Sequence, residues 1–193
     1  MRLLLSAFAP ELGSLLSDPP RGWETALTGV GAVTAAAVTA RLLAERQPDA
    51  VVFLGTCGRY DGRLALFEAL WAAEAIATSL EEVCERAYRP SLEQVRWTAT
   101  LAGPLPSQVV AVPPAITGTR AGAALLAAVA PVEHLELTGI YAACHGAGVP
   151  CGAALVVVNA VGPEAQSQWK SNHAEGSRRL VAQLRAVGFF EGV

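Results

Sequence analysis

The sequence predicts an α/β fold, with helices packed on a largely parallel or mixed sheet, and three observations predict it. The apolar runs Ala50 to Leu54 and Ala153 to Val158 carry no polar alternation, which is the pattern of strands covered on both faces. Helical patterns at Ala32 to Gln47 and Ser167 to Val187 alternate with those runs along the chain. Glycine-rich segments, Thr28-Gly29-Val30-Gly31 and Gly55-Thr56-Cys57-Gly58, stand at the junctions and read as tight turns. The chain has 193 residues and shows no repeat, low-complexity tract or linker, so one domain spanning residues 1–193 is expected.

The elements follow in order. Met1 to Phe8 is apolar and ends at Ala9-Pro10, a strand leaving the core. Arg2, Leu3-Leu4-Leu5 and Ala7-Phe8-Ala9 imitate a signal peptide, but the apolar stretch is shorter than the roughly 7–15 residues such a peptide needs. Glu11 to Leu16 begins a short helix, and Asp18 to Gly22 is a loop. The glycine turn at Thr28 to Gly31 opens the helix from Ala32, whose Val33, Ala37, Ala40 and Ala44 lie close to one face. Pro48-Asp49 stops it before the strand at Ala50. Leu64 to Glu85 is rich in Ala, Leu and Glu, so propensity alone predicts a helix. Val109 to Val112 reads as a strand and Gly118 to Ala130 as a helix of small residues. His134 to Leu137 alternates over a short span, Gly139 to Gly146 is helical, Ala153 to Val158 is a strand, and the helix from Ser167 closes the chain.

Composition excludes several classes of function. Hydrophobic residues make up 52% and charged residues 16%, which excludes a disordered chain. The formal net charge is −3, and Lys170 is the single lysine, so no basic stripe exists for nucleic-acid phosphates. A mean hydropathy of +0.38 raises the question of a membrane span. The longest uncharged run, Leu137 to Pro163, is broken by Gly146, Gly148, Pro150 and Gly152, and Trp97 to Thr119 contains Pro104, Pro106, Pro113 and Pro114, so neither is read as spanning. Cys57, Cys84, Cys144 and Cys151 form no CxxC and no zinc spacing, and the three histidines show no metal spacing. Free thiols in a cytoplasmic protein with no bound metal are therefore expected.

Candidate chemistry gathers at the strand ends. Glu11 follows the first strand, where α/β folds bind ligands, and burial there would suit it to acid–base work. The two glycine segments allow close backbone approach to a ligand, although neither is a GxGxxG or a P-loop. His145 reads as the last-turn residue of a helix. His173, with Asn172 and Trp169, forms a polar–aromatic cluster on the closing helix.

Taken in order, Ala7-Phe8-Ala9-Pro10-Glu11, Leu27 to Ala36, Pro48 to Gly58, Leu135 to Ala143 and Val149-Pro150 leading to Val156 to Gly162 resemble the purine nucleoside phosphorylase and methylthioadenosine/adenosylhomocysteine nucleosidase superfamily. Within it, the glycine spacing and Gln168-Trp169 resemble futalosine hydrolases. The resemblance covers nearly the whole chain. It implies a three-layer α/β/α sandwich with a mixed, curved central sheet, and strands within Leu64 to Glu85 in place of a helix.

The same resemblance implies a function. Glu11 falls on the carboxylate that helps activate the attacking water, and Gly55-Thr56 on the glycine and hydroxyl residue beside the anomeric carbon. Glu136-Leu137-Thr138 falls on a Glu-Met-Glu run whose apolar member lies under the sugar and whose last glutamate holds the ribose hydroxyls, so Thr138 departs from it. Pro163 stands where the family has the aspartate that protonates the leaving purine. Glu164 is one residue away and is expected to point elsewhere, which leaves Asn159 as the nearest polar group at the strand end. Trp169 joins Gly55, Glu136, Leu137 and Thr138 as a substrate-binding residue, and Glu11, Thr56 and Asn159 form the catalytic set. The position three residues before Thr56, arginine in hexameric phosphorylases, is Phe53, so hydrolysis is expected over phosphorolysis. The implied activity is cleavage of the N-glycosidic bond of a purine or modified purine nucleoside such as futalosine, without cofactor, by a homo-oligomer. The alternative is a degenerate member that binds a nucleoside-like ligand without turnover, which Thr138 and Pro163 favour.

Overall fold

The computed structural model describes residues 1–91 and 93–191. In chain order its elements are β1 (Arg2–Ser6), α1 (Ala9–Leu12), β2 (Trp23–Leu27), α2 (Ala32–Arg46), β3 (Ala50–Arg59), β4 (Ala69–Ala77), α3 (Leu80–Val83), β5 (Arg96–Thr98), β6 (Ser107–Val112), α4 (Arg120–Leu126), β7 (Val132–Glu133), α5 (Leu137–Ala147), β8 (Cys151–Ala160) and α6 (Ala165–Ala186). A single 3-10 turn, Gly13–Leu16, follows α1.

β3 organises the sheet. Its first half runs parallel to β1, its whole length runs parallel to β8, and its last two residues pair antiparallel with β7. β7 continues through β6 and β4, and β4 turns back antiparallel onto β8. The pairings β3–β8–β4–β6–β7–β3 therefore close a ring of five strands, with β1 and β2 extending from one side and β5 added beyond β4. The mixed, curved sheet expected from the sequence is the one observed.

Strand alternation sorts the apolar residues into two layers. Leu3 and Leu5 of β1 and Ala153, Leu155 and Val157 of β8 join Leu42 and Leu43 of α2 and Ile140, Tyr141 and Cys144 of α5. Leu4 of β1 and Ala154, Val156 and Val158 of β8 join Leu180 and Leu184 of α6, with Leu12 and Leu15, on the opposite face. The unalternating strands are thus buried on both faces, and the arrangement is a helix–sheet–helix sandwich. No helix among the described residues is long and apolar enough to cross a membrane.

Among the elements, one sequence expectation changes and one is borne out. Gly55 to Gly58 is not a turn: β3 runs unbroken through it to Arg59, and glycines that read as punctuation instead leave room for nearby side chains. Leu64 to Glu85 forms β4 and then the four-residue α3, so the strand that the resemblance implies is present and sheet pairing overrides helix propensity across Ala69–Ala77. The strands β2 and β5, which the sequence did not announce, lie at the sheet edges. The α2 line of Val33, Ala37, Ala40 and Ala44 faces outward, with Val33 86% exposed, while Ala35, Thr39, Leu42 and Leu43 are buried.

Two close approaches set the positions of these layers. The first joins α2 and α5 at their N-termini: a Cβ on Gly139 would lie 2.0 Å from the carbonyl oxygen of Ala32. Gly29 and Gly31 precede this contact with φ of 77° and 90°, values that an L side chain rarely adopts. The second is a slot for Trp71, whose indole donates to the Leu101 carbonyl at 3.0 Å and is flanked by Gly103 and Gly152. A Cβ on Gly152 would lie 2.2 Å from the ring. Gly152→Ala is therefore expected to lower unfolding stability by about 1–3 kcal/mol through overpacking. Gly62→Ala, in open space, should stay within about 0.5 kcal/mol of wild type. Denaturant titration of both variants checks this.

Candidate active site

A cavity of about 400 Å³ opens at the carboxyl ends of β1, β3 and β8, where parallel strands of an α/β fold present ligand-binding groups. Glu11, Thr56, Glu136, Asn159 and Trp169 are on its wall; Gly55, Leu137 and Thr138 are not. Gly55 lies just beneath, closed off by Phe53 and His134. Leu137 and Thr138 are buried in the first turn of α5. The lining run is His134, Leu135 and Glu136, two residues earlier than the expected Glu136-Leu137-Thr138.

Glu11 enters from the first turn of α1 and is 3% exposed. One carboxylate oxygen, Oε1, accepts from both the backbone N–H and the hydroxyl of Thr56, each at 2.8 Å. The other, Oε2, accepts from the Ser6 hydroxyl at 2.9 Å. Burial pushes this carboxyl from an ordinary pKa of 4.5 up to about 7, although the Thr56 and Ser6 hydrogen bonds oppose the rise by favouring the charged form. A carboxylate of that basicity near neutral pH suits a general base. Thr56 is itself oriented, because the Trp169 indole N–H donates to its hydroxyl oxygen at 3.2 Å. Trp169 stacks on His173 with ring centroids 4.5 Å apart, and Phe8 contacts both rings. His173 stands behind Trp169 and does not line the cavity.

Glu136 approaches from the other side. Its Oε1 accepts from the Gly31 N–H at 2.8 Å, so the α2–α5 contact carries it into place. Its own N–H donates to His134 Nδ1 at 3.1 Å. Burial lowers the His134 pKa, which favours the neutral ring, and that ring lies at 82° to Phe53 with centroids 5.2 Å apart. A third carboxylate, Glu133, accepts from the Tyr60 hydroxyl at 3.0 Å and the Thr117 N–H at 3.2 Å, and burial raises its pKa. The sequence reading passed over Glu133, His134, Leu135 and Phe8. The signal available for the first three was that β7 ends at Glu133, two residues after the Pro131 break, so the cavity-facing run begins there.

Asn159 is the penultimate residue of β8, where Gln168 accepts from the Ala160 N–H at 2.8 Å and Asn172 donates to the Val158 carbonyl at 2.8 Å. In register, Glu133, Gly58 and Asn159 form one row across β7, β3 and β8. Gly58 has no side chain, and the Asn159 amide and Val161 occupy the space a Cβ would need, at 2.8 and 2.9 Å. Pro163 is exposed and off the cavity, and Glu164 turns away to pair with Arg120 at 3.1 Å. Among the described lining residues there is no lysine or arginine. Arg59 donates to the Leu64 carbonyl at 2.5 Å instead. Cys57 also lines the cavity, but burial pushes its thiol pKa up and keeps it protonated.

The sequence matches no family model. A futalosine hydrolase of Streptomyces coelicolor is 32% identical over 197 residues, covering 91% of this chain and 81% of the relative. Among solved structures, the 5'-methylthioadenosine/S-adenosylhomocysteine nucleosidase of Helicobacter pylori with butyl-thio-DADMe-Immucillin-A superposes with a TM-score of 0.81 at 14% identity, over 96% of each chain. The futalosine hydrolase of the same organism gives 0.75 at 15% identity, over 95% of this chain and 97% of that one. The fold is the nucleoside phosphorylase-like one that the residue order resembled.

The raised Glu11 pKa has a consequence for stability. Between about pH 4.5 and 7 the folded protein holds a proton that the unfolded chain has released, so stability falls as pH rises through that window. Glu11→Gln stays neutral throughout. It is expected to be more stable than wild type at pH 8, by at most about 3 kcal/mol, with the difference shrinking toward pH 5. Denaturation of both proteins at the two pH values measures it.

Proposed function

Because the chain belongs to the futalosine hydrolase family, we propose that it hydrolyses the N-glycosidic bond of a purine nucleoside or a modified one such as futalosine. The observation that carries this reading is the buried Glu11 carboxylate, basic near neutrality and clamped by Thr56, facing the cavity that Glu136 and Asn159 also line. Glu11 takes a proton from water as the water attacks the anomeric carbon, and Thr56 fixes the carboxylate. Glu136 accepts from the ribose hydroxyls, Leu135 supplies the apolar wall of the sugar, and Phe8 and Trp169 form the aromatic wall. The base lies over Gly58, where the Asn159 amide donates to the ring as negative charge develops on it.

The placement of Glu136 on the cavity favours turnover over the degenerate alternative. With His134-Leu135-Glu136 as the lining run, Thr138 no longer stands for a missing ribose-binding glutamate. Pro163 still leaves the leaving base without an aspartate, so hydrogen bonding by Asn159 replaces protonation at that point. Water is the co-reactant in place of phosphate, because a phosphate needs fixed positive charge and the described cavity wall has none.

The reading includes a homo-oligomer in the cytoplasm. The outward α2 face of Val33, Ala37, Ala40 and Ala44 continues into a shallow apolar depression lined by Leu43, Ala143 and Val149, and a second copy would cover it. Ala40→Glu places a charge on that face and is expected to shift the protein to a smaller species in sedimentation velocity. An unchanged species would remove α2 from the interface.

Glu11→Gln should fold normally and lose at least about 100-fold in turnover, the contribution of a general base. Adding phosphate should not raise base release from any accepted nucleoside. Formation of a sugar 1-phosphate would assign the chain to phosphorolysis instead.

A further inference from the structure

The two oxygens of Glu11 have different partners. Oε1 receives two donors from Thr56: the backbone N–H, which is fixed, and the hydroxyl, whose oxygen also accepts from the Trp169 N–H. A proton placed on Oε1 would require the Thr56 hydroxyl to turn away and would still face the fixed N–H. Oε2 meets only the Ser6 hydroxyl, 2.9 Å away. That hydroxyl has a second acceptor within reach, the Phe8 carbonyl at 3.1 Å, and Ser6 is fully buried, so no water competes for it.

We infer that Ser6 is a positioning residue that lets Glu11 hold the proton it takes from water: the Ser6 hydroxyl donates to Oε2 while Glu11 is a carboxylate, and turns to the Phe8 carbonyl, accepting from Oε2–H, once Glu11 is a carboxylic acid. This rests on the nucleosidase reading and assigns the site of protonation within it. The bonds balance. The water O–H breaks and Oε2–H forms; the hydroxide oxygen bonds the anomeric carbon; the C–N bond breaks and its electron pair leaves with the base. The base then gains one proton from solvent and Glu11 returns one, with no change of oxidation state. A hydroxyl that reverses by rotation avoids leaving a buried donor or acceptor unpaired in either state, a loss that would slow the proton transfer.

The other groups facing Glu11 do not serve this purpose. Glu136 across the cavity is a like charge that raises the Glu11 pKa, Cys57 on β3 is a buried neutral thiol, and His173 on α6 lies behind Phe8.

The test is Ser6→Ala, with Ser6→Thr as the variant that keeps the hydroxyl. The bond Ser6 gives the carboxylate is charge-assisted and stronger than the neutral one it accepts from the acid, so its loss should move the acidic limb of the kcat/KM profile up by about one pH unit, a tenfold loss at pH 6, with Ser6→Thr returning toward wild type. The infrared carbonyl band of protonated Glu11, assigned by its absence in Glu11→Gln, reports the same titration without substrate and should move with the limb in Ser6→Ala. A folded Ser6→Ala protein whose band and limb both titrate as in wild type overturns the inference. So does a fall in turnover with an unmoved limb, which is what a merely structural serine would give. A wild-type protein that releases no base from any purine nucleoside overturns the nucleosidase reading instead, and the infrared titration still decides whether Ser6 governs Glu11.

Discussion

β3 is asked to satisfy three neighbours, and most of the molecule follows from how it does so. Its first half is a fully buried parallel strand between β1 and β8, and its last two residues pair with β7 in the opposite sense. That change of partner closes the five-strand ring and brings the ends of β1, β7 and β8 around one cavity. It also requires a strand that can bend and admit side chains from both flanks. Gly55 and Gly58 provide this: one accommodates Phe53 and His134, the other Asn159 and Val161. Between them Thr56 offers a backbone N–H and a hydroxyl to the same carboxylate oxygen, so the strand that builds the sheet also holds the group proposed to do the chemistry.

The cavity combines groups that would be costly elsewhere. Glu11, Glu133 and Glu136 are all buried around it, and each is held by N–H or O–H donors, with no cation on the described wall. Hydrogen bonds take the place of ion pairs. Burial raises the pKa of Glu11 and Glu133, and no positive charge on the described wall offsets it. The stability cost of the buried Glu11 carboxylate and its proposed use as a base have the same origin.

Much of this was legible in the chain. The buried strands β1, β3 and β8 announced themselves by apolar runs without alternation, and Glu11 by its position just after a strand. The residue order carried the fold even where single motifs were weak. What was not legible has physical reasons. Glycines inside β3 resemble a turn because sequence does not reveal that a neighbour needs their space. Ala69–Ala77 has helical composition and becomes a strand through its pairing with β6 and β8. The α2 alanines are nearly neutral in hydropathic pattern, so they do not mark the buried face, for which Leu42 and Leu43 are the better guide. The cavity run was placed two residues late because Glu136-Leu137-Thr138 looks like the resembled motif, whereas the end of β7 at Glu133 decides which residues face inward. His134 gave no spacing signal, since its partner is the backbone of a residue only two positions away.

The ring of five strands leaves β2 and β5 as the two outer strands of the sheet. β2 is five residues long and carries Glu24, bound to Arg46; β5 has three residues and carries Arg96, bound to Glu74. Short strands bearing paired charges make poor templates for an incoming chain, because a docking strand would gain few hydrogen bonds and would have to desolvate or displace an ion pair. A protein with more than half its residues hydrophobic thereby offers other copies little for strand-by-strand growth.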